Sequence, residues 1–353
     1  MQLSYPLIRG VMLGAVAIVA GFTASASKAE DFYAGKQIDF LIGGNPGGGY
    51  DSYARTVSRH LPKHIPGNPT IINKNVPGAG SAKLATFLYT IAPKTGLTIG
   101  ALYPGAIMGP MLDPKLKGKY DPTKFEYVGS ADSGSRVCLT RKQSKIRTFE
   151  DAKKAKTVLG ASQAGGSTRD YAIFLNATAG TKFEVISGYN GSVDILLAVE
   201  RGEVEGLCGF DWSSLLSQRP NWANKGEINL LVQMAPDGDP DLVKMGVPEF
   251  WQYMDTEEKK QMGVLLVTQQ IFGRPYMAPP GTPADRVKIL RAGMWKTFND
   301  ADYKKDAIRS RLSVNPASGE KVQELVLKLY ATPVAVVEKA KAVMLPPSKK
   351  KKK

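Results

Sequence analysis

Histidine and cysteine are almost missing from this 353-residue chain: His60 and His64, Cys138 and Cys208 are the full set. The nearest approach to a Gly-x-Ser-x-Gly nucleophile turn is "GASQAG" (160–165), which misses by one residue, and both histidines lie far upstream of it. The Ser, acid, His order of the hydrolase fold is therefore unavailable, and no Cys–His pair offers a thiolate nucleophile. His60 and His64 are spaced like zinc ligands on a helix, but Pro62 stands between them and no Glu follows His60, so solvated helix-end histidines are expected and no metal site. Two cysteines are compatible with a bridge in an oxidising compartment and equally with two small buried apolar residues.

Acidic residues are also short, 32 against 47 Lys plus Arg, for a net charge of +15. Setting aside Arg9 and the terminal run Lys349–Lys353 leaves about +9 on the body. Basic and aromatic residues are not interleaved, which excludes a nucleic-acid reading; the excess suits anionic solutes or an anionic membrane surface. Long hydrophobic runs are absent too. The run Val11 to Phe22 is too short for a bilayer span of roughly 20 residues. With Arg9 before it and the small residues of "TASASKA" after it, residues 1–26 read as a secretory signal, with Ala29 an alternative cleavage point. The mature protein is expected in the periplasm.

What is present alternates strand-like and helix-like segments. "QIDFLIGG" reads as a strand and Asp51 to Leu61 as a helix with Tyr53, Ala54, Val57 and Leu61 on one face, stopped by Pro62. "PTIINKNV" (strand), Ala82 to Ile91 (helix) and "LTIGALY" (strand) follow. "KTVLGASQAGGSTRDYAIFLNATAG" then repeats strand, glycine loop and helix, and "FEVISGY" adds a strand. "INLLVQMAP" and "GVLLVTQQIFGRPYMAPP" read as further strands, Pro283 through Trp295 as a helix, and Val322 to Ala342 as two helical pieces parted by Pro333. The pattern predicts an α/β fold with largely parallel sheets in two lobes, since the chain exceeds the roughly 250–300 residues at which single cores divide. Each lobe would present a glycine turn and a helix N-terminus at the carboxyl end of a strand, where open α/β sheets bind ligands.

"GGNPGGG" (43–49) places five glycines among seven residues. A nucleotide P-loop would need Lys and Ser/Thr where Tyr50 and Asp51 stand, and a dinucleotide fingerprint starting at Gly47 has Ser52 at its sixth place. Neither is present. Glycine loops do supply converging N–H groups, and a helix N-terminus adds unpaired donors, so the loop suits an anion of carboxylate size held without charge-matching residues. Asp51, Ser81 and Thr168 stand at expected N-caps; capping alone accounts for Asp51, while Ser81 and Thr168 are equally suited to ligand contact.

"YAGKQIDFLIGGNPGGGYDSYARTVSRHL", "INKNVPGAGS", "GASQAGGSTRDYAIFLNATAG", "ISGYNGSVDILLAVERGEVEGLCGFDW" and "MAPPGTPADRVKILRAGMWKTFND" occur in this order. Over nearly the whole mature chain this resembles the substrate-binding receptors of tripartite tricarboxylate transporters, the Bug family. The resemblance implies a two-lobed type II periplasmic-binding-protein fold with crossover strands: lobe 1 from 27–132 plus 236–345, lobe 2 from 133–235, and a Lys-rich tail at 346–353. It implies capture of a small organic carboxylate and delivery to integral-membrane transporter subunits by a monomer, with no catalytic residue, cofactor or metal. A sensing module that signals to a membrane partner is one alternative, an enzyme on the same scaffold another. Carried over by motif, the ligand-binding residues are Gly48, Gly49, Tyr50, Asp51, Gly78, Ala79, Gly80, Ser81, Gly166, Ser167, Thr168, Tyr189 and Asp211. Tyr50 departs from the Thr or Ser common at that place in the family, a change that enlarges apolar contact or shrinks the pocket. Arg169, after the "GST" turn, either pairs with a second carboxylate or lies exposed on its helix. The same resemblance brings the strands carrying Cys138 and Cys208 side by side, where a disulfide can form.

Overall fold

The computed structural model describes residues 31–344. The expected signal segment and the lysine tail lie outside the described residues. Two sheets organise the chain. The first contains β1 (Gln37–Ile42), β2 (Thr70–Asn75), β3 (Thr98–Ala101), β4 (Glu126–Ser130), β10 (Pro275–Ala278) and β11 (Ala317–Ser318) in the order β11-β4-β10-β3-β1-β2. The second contains β5 (Arg136–Arg141), β6 (Thr157–Ala161), β7 (Phe183–Ser187), β8 (Gly206–Asp211) and β9 (Ile228–Met234) in the order β7-β6-β8-β5-β9. The two orders are one pattern used twice. A strand flanked by two parallel neighbours is followed by an antiparallel strand, β10 or β5, and then by a fifth. The chain passes to the second sheet through 131–135 and returns to the first after β9. This is the two-lobed architecture with crossover strands of type II periplasmic binding proteins.

The expectation of largely parallel sheets holds for only part of each. β1 pairs with β2 and β3, and β6 with β7 and β8, in parallel. β10, β5 and the short β11 run antiparallel to their neighbours; β5 follows β4 through the short crossover with no helix between, whereas β10 follows the helix Glu257–Ile271.

The apolar face read from the sequence is the buried one: Tyr53, Ala54, Val57 and Leu61 of the helix Gly49–His60 pack with Ile38, Phe40 and Ile42 of β1. The helix starts at Gly49, not Asp51, and stops before Pro62 as expected, Pro62 then opening a 3-10 segment, Pro62–His64. The largest misreading concerns "GVLLVTQQI", which is helical within Glu257–Ile271; only Pro275–Ala278 of that stretch is strand. A nine-residue stretch buried on more than one side has no clear period, and the deciding signal lies upstream, where Thr256 accepts a bond from the Lys259 N–H ahead of two glutamates. The final helices, Gly319–Tyr330 and Val334–Met344, are parted at Pro333 as expected.

The two histidines are not solvated. His60 Nε2 lies 3.0 Å from Asp306 and His64 Nε2 2.7 Å from Asp300, so they tie the first helix to Ala301–Arg309. No cluster of metal-ligating side chains occurs among the described residues. Cys138 and Cys208 face each other, fully buried, on β5 and β8, at the register shift between Val137 and Leu139, with their sulfurs within bonding reach.

Candidate functional site

A cavity of about 190 Å³ lies between the lobes. Its walls are built largely from helix beginnings. Gly48, Gly49 and Tyr50 open the helix Gly49–His60; Tyr103, Pro104 and Gly105 open Pro104–Leu112; Gly166, Ser167 and Thr168 open Ser167–Ala179; Gly191, Ser192 and Val193 open Ser192–Arg201. None of the four has a side chain capping its first turn. Each first turn leaves N–H groups without intrahelical partners and carries roughly half a positive charge. Four such ends on one cavity, two from each lobe, favour an anion at its centre.

The lobes meet closely around this space. A Cβ added at Gly80 would lie 3.0 Å from the Gly165 carbonyl carbon and 3.1 Å from the Ala164 oxygen, both on the opposite lobe. One added at Gly105 would lie 2.8 Å from the same carbon and nearer still to its oxygen.

The cavity is not free of matching charge, contrary to the sequence reading. Arg136, the first residue of β5, and Arg274, immediately before β10, both line it. Their side chains are only 4% and 2% exposed, and Asp211 lies between them: Arg136 Nη1 is 2.9 Å from Asp211 Oδ2 and Arg274 Nη2 is 2.6 Å from Oδ1. Asp211 also accepts the Ser213 hydroxyl and the Ser214 N–H, as N-cap of the helix Trp212–Gln218. Arg274 Nη2 further donates to Ser214 Oγ at 2.8 Å, and its guanidinium lies against the rings of Tyr50 (4.4 Å) and Tyr53 (4.6 Å). Burial opposes ionisation of Asp211, but the Arg274 and Arg136 charges beside it outweigh that and hold its carboxyl at about 2. Burial likewise opposes the charge on Arg274, and the Asp211 carboxylate overrides it.

Behind this group sits Asp132, on the crossover segment. Its carboxylate accepts the hydroxyls of Tyr53 (3.0 Å) and Ser313 (2.7 Å) and the Asn315 N–H (3.1 Å). Burial, followed by the Asp211 charge, raises its carboxyl to about 6. Tyr53, from lobe 1, also meets Ser213 of lobe 2 at 2.8 Å, so the hydroxyl network crosses between lobes beside the hinge.

The residues singled out from sequence fall into two neighbouring spaces. Gly48, Gly49, Tyr50, Gly166, Ser167, Thr168 and Asp211 line the arginine cavity. Gly78, Ala79, Gly80, Ser81 and Tyr189 line an adjoining chamber of about 340 Å³, and Asn45, Tyr103 and Ser162 border both. Asp51 faces neither: its buried carboxylate accepts the Gly47 N–H, Arg55 and Asn75, bracing the glycine loop from behind, and it is the third residue of its helix rather than the cap. Ser81 has a left-handed backbone (φ +72°), and its hydroxyl bonds to the Gly43 carbonyl and the Tyr103 N–H instead of capping a helix. Thr168 Oγ1 bonds Ser162 through both its N–H and its hydroxyl, closing the second glycine loop. Tyr50 reduces the pocket: its ring stacks on Tyr103 at 4.2 Å and covers Arg274. Arg169 does not enter the cavity; it pairs with Asp170 at 2.8 Å, half-buried beside the C-terminal helix.

In sequence the chain matches no protein-family model and no curated protein. In structure it is similar to the periplasmic binding protein BugD, with a TM-score of 0.70 at 18% identity over 87% of this chain and 98% of BugD. It is also similar to MatC from Rhodopseudomonas palustris, solved with bound malate (TM-score 0.67, 20% identity, 85% and 99% covered). A second protein of R. palustris, solved with adipate, matches at TM-score 0.66 and 17% identity, with 86% and 97% covered. At these identities the likeness is one of fold.

Proposed function

We propose that the protein is an exported solute receptor of the Bug type, which captures a small organic carboxylate between its lobes and delivers it to integral-membrane transporter subunits. The observation that carries this reading is the convergence of four uncapped helix N-termini, contributed by both lobes, on one interlobe cavity. An anion held there touches both lobes at once, so its binding free energy favours closure in proportion to its preference for the closed form. Ligand contacts are assigned to Gly48–Tyr50 on lobe 1 (27–132 plus 236–345) and Gly166–Thr168 on lobe 2 (133–235), with the chamber of Gly78–Ser81 and Tyr189 taking any further length of the ligand.

Size narrows the choice. A dry cavity of about 150 Å³ admits benzene, so about 190 Å³ suits an acid with one ring or a short carbon chain. Carboxylate ligands in two proteins of this fold agree with that chemistry. No helix among the described residues is long and apolar enough to cross a membrane, in keeping with a receptor that works in the periplasm beside its membrane partners.

A thermal-shift screen over mono- and dicarboxylic acids tests the reading. A cognate acid at 100 times its dissociation constant stabilises by about 2.7 kcal/mol, a clear rise in melting temperature. If no organic acid raises the melting temperature, the carboxylate reading is wrong.

A further inference from the structure

We infer that Arg136 and Arg274 are the carboxylate anchor of this cleft, and that Asp211 is a positioning residue that holds both guanidiniums and offsets part of their charge. The inference rests on the carboxylate reading above and adds the residues that set its strength.

The two arginines occupy equivalent places in the repeated topology. Arg136 opens β5 and Arg274 immediately precedes β10, the fourth strand of each sheet counted from the β7 and β2 edges and antiparallel in both, so the repeat delivers one guanidinium to the cleft from either side. Both are nearly fully buried, which is unfavourable for a charge unless it is well partnered. Yet their partnering is incomplete. Two guanidiniums carry ten N–H donors between them, and their close bonds are those to Asp211 and Ser214. The contacts of Arg136 to the Tyr50 hydroxyl and of Arg274 to the Gly273 carbonyl are long, 3.5 Å each, and both Nε atoms are buried without a partner. Asp211 balances one of the two charges, and its oxygens already accept Ser213, the Ser214 N–H and both arginines. Asp132, ionised above about pH 6 and within the field of Arg274, offsets the second charge; what the arginines leave over is a set of N–H donors without close partners, and a ligand carboxylate complements them.

Tyr50 contributes to this arrangement through its ring. It lies over Arg274 at 4.4 Å and, together with the Tyr53 ring at 4.6 Å, restrains the guanidinium before a ligand arrives. In this chain a fixed charge supplements the amides of the glycine loops.

Acetate serves as the minimal probe, compared with chloride at equal ionic strength, on the full-length mature protein. Acetate raises the melting temperature of the wild type, and the gain shrinks or disappears in Arg136→Gln and Arg274→Gln. Asp211→Asn melts lower than the wild type in chloride, because two buried guanidiniums lose their counter-charge, and gains more from acetate than the wild type does. With adipate, malate and benzoate in calorimetry, each arginine variant weakens whichever acid binds by at least about tenfold. Tyr50→Leu, which removes the ring over Arg274, weakens binding as the arginine variants do. If acids bind and the arginine variants bind them equally well, the anchor is refuted while the receptor reading stands. If no acid, acetate included, stabilises the wild type or Asp211→Asn, both fall.

Discussion

Gly105→Ala separates closure from folding. Gly105 lies in the first turn of the helix Pro104–Leu112, and every close neighbour of an added Cβ there belongs to Gly165 of the opposite lobe. The Gly165 carbonyl carbon would be 2.8 Å away and its oxygen closer, whereas ordinary van der Waals contact begins at 3.4 Å. The obstacle is a peptide carbonyl, which has no rotamer to escape into. The lobes must therefore part by about 1–2 Å at this point to bring the Gly165 oxygen to ordinary contact, and a gap of that order forfeits much of the contact energy. Such a shift stretches the Arg274–Ser214 bond from 2.8 Å beyond good hydrogen-bond geometry, along with the Tyr53–Ser213 contact. A ligand then loses the donors of one lobe, each charge-assisted bond contributing about 1.5–3 kcal/mol, so affinity falls at least about a hundredfold. The fold is affected in the opposite sense. Alanine in a helix is better than glycine by about 0.5–1 kcal/mol, and the clash is absent when the lobes are apart. The expected result is an unchanged or slightly higher melting temperature without ligand, together with calorimetric loss of binding. Unchanged affinity would refute the closure argument, and a large drop in melting temperature would show that the glycine serves the fold.

Gly80→Val crowds the same interface from the "PGAG" loop, at a left-handed backbone (φ +59°) that disfavours a β-branched residue, and it is expected to abolish binding with a loss of stability of only about 1–2 kcal/mol, read by denaturant titration and calorimetry. Asp132 gives a pH signature. Its folded carboxyl is raised to about 6, so its contribution is most favourable below about pH 4 and is lost as pH rises through 6; Asp132→Asn flattens the stability profile over that window, and an unaltered slope would exclude Asp132 as its source. Cys138 and Cys208 are predicted to be disulfide-bonded in protein from an oxidising compartment. Thiol labelling in denaturant then finds two reactive groups only after reduction, and reduction lowers stability by up to about 4 kcal/mol for a loop spanning 70 residues. Equal labelling with and without reductant would remove the bond.

Much of the lobe architecture was legible because it is written in local signals. The face Tyr53, Ala54, Val57 and Leu61 has helical spacing, "QIDFLI" has no competing period, and the recurrence of strand, glycine loop and helix announces a doubled unit. The helix "VLLVTQQI" was misread because burial on several sides erases periodicity. The glycine turns pointed to an anion, but the arginines escaped notice. "SRVCLT" and "GRPYMA" each look like a loop cation entering a strand, and their shared partner Asp211 is distant in sequence from both. A signal is available in the architecture: once the two sheets are aligned strand for strand, both arginines fall at the head of the antiparallel strand, β5 or β10. A second lay in the missing caps. Gly48, Tyr103, Gly166 and Gly191 stand where Ser, Thr, Asp or Asn usually closes a first turn, so the donors are left for something else.

The most direct test of the account is a structure solved with the acid that stabilises the protein most. The account places a carboxylate between the Gly48–Tyr50 loop and the Gly166–Thr168 turn, within hydrogen-bond reach of N–H groups from both lobes. An acid lodged on one lobe alone, or outside the cleft, would contradict it.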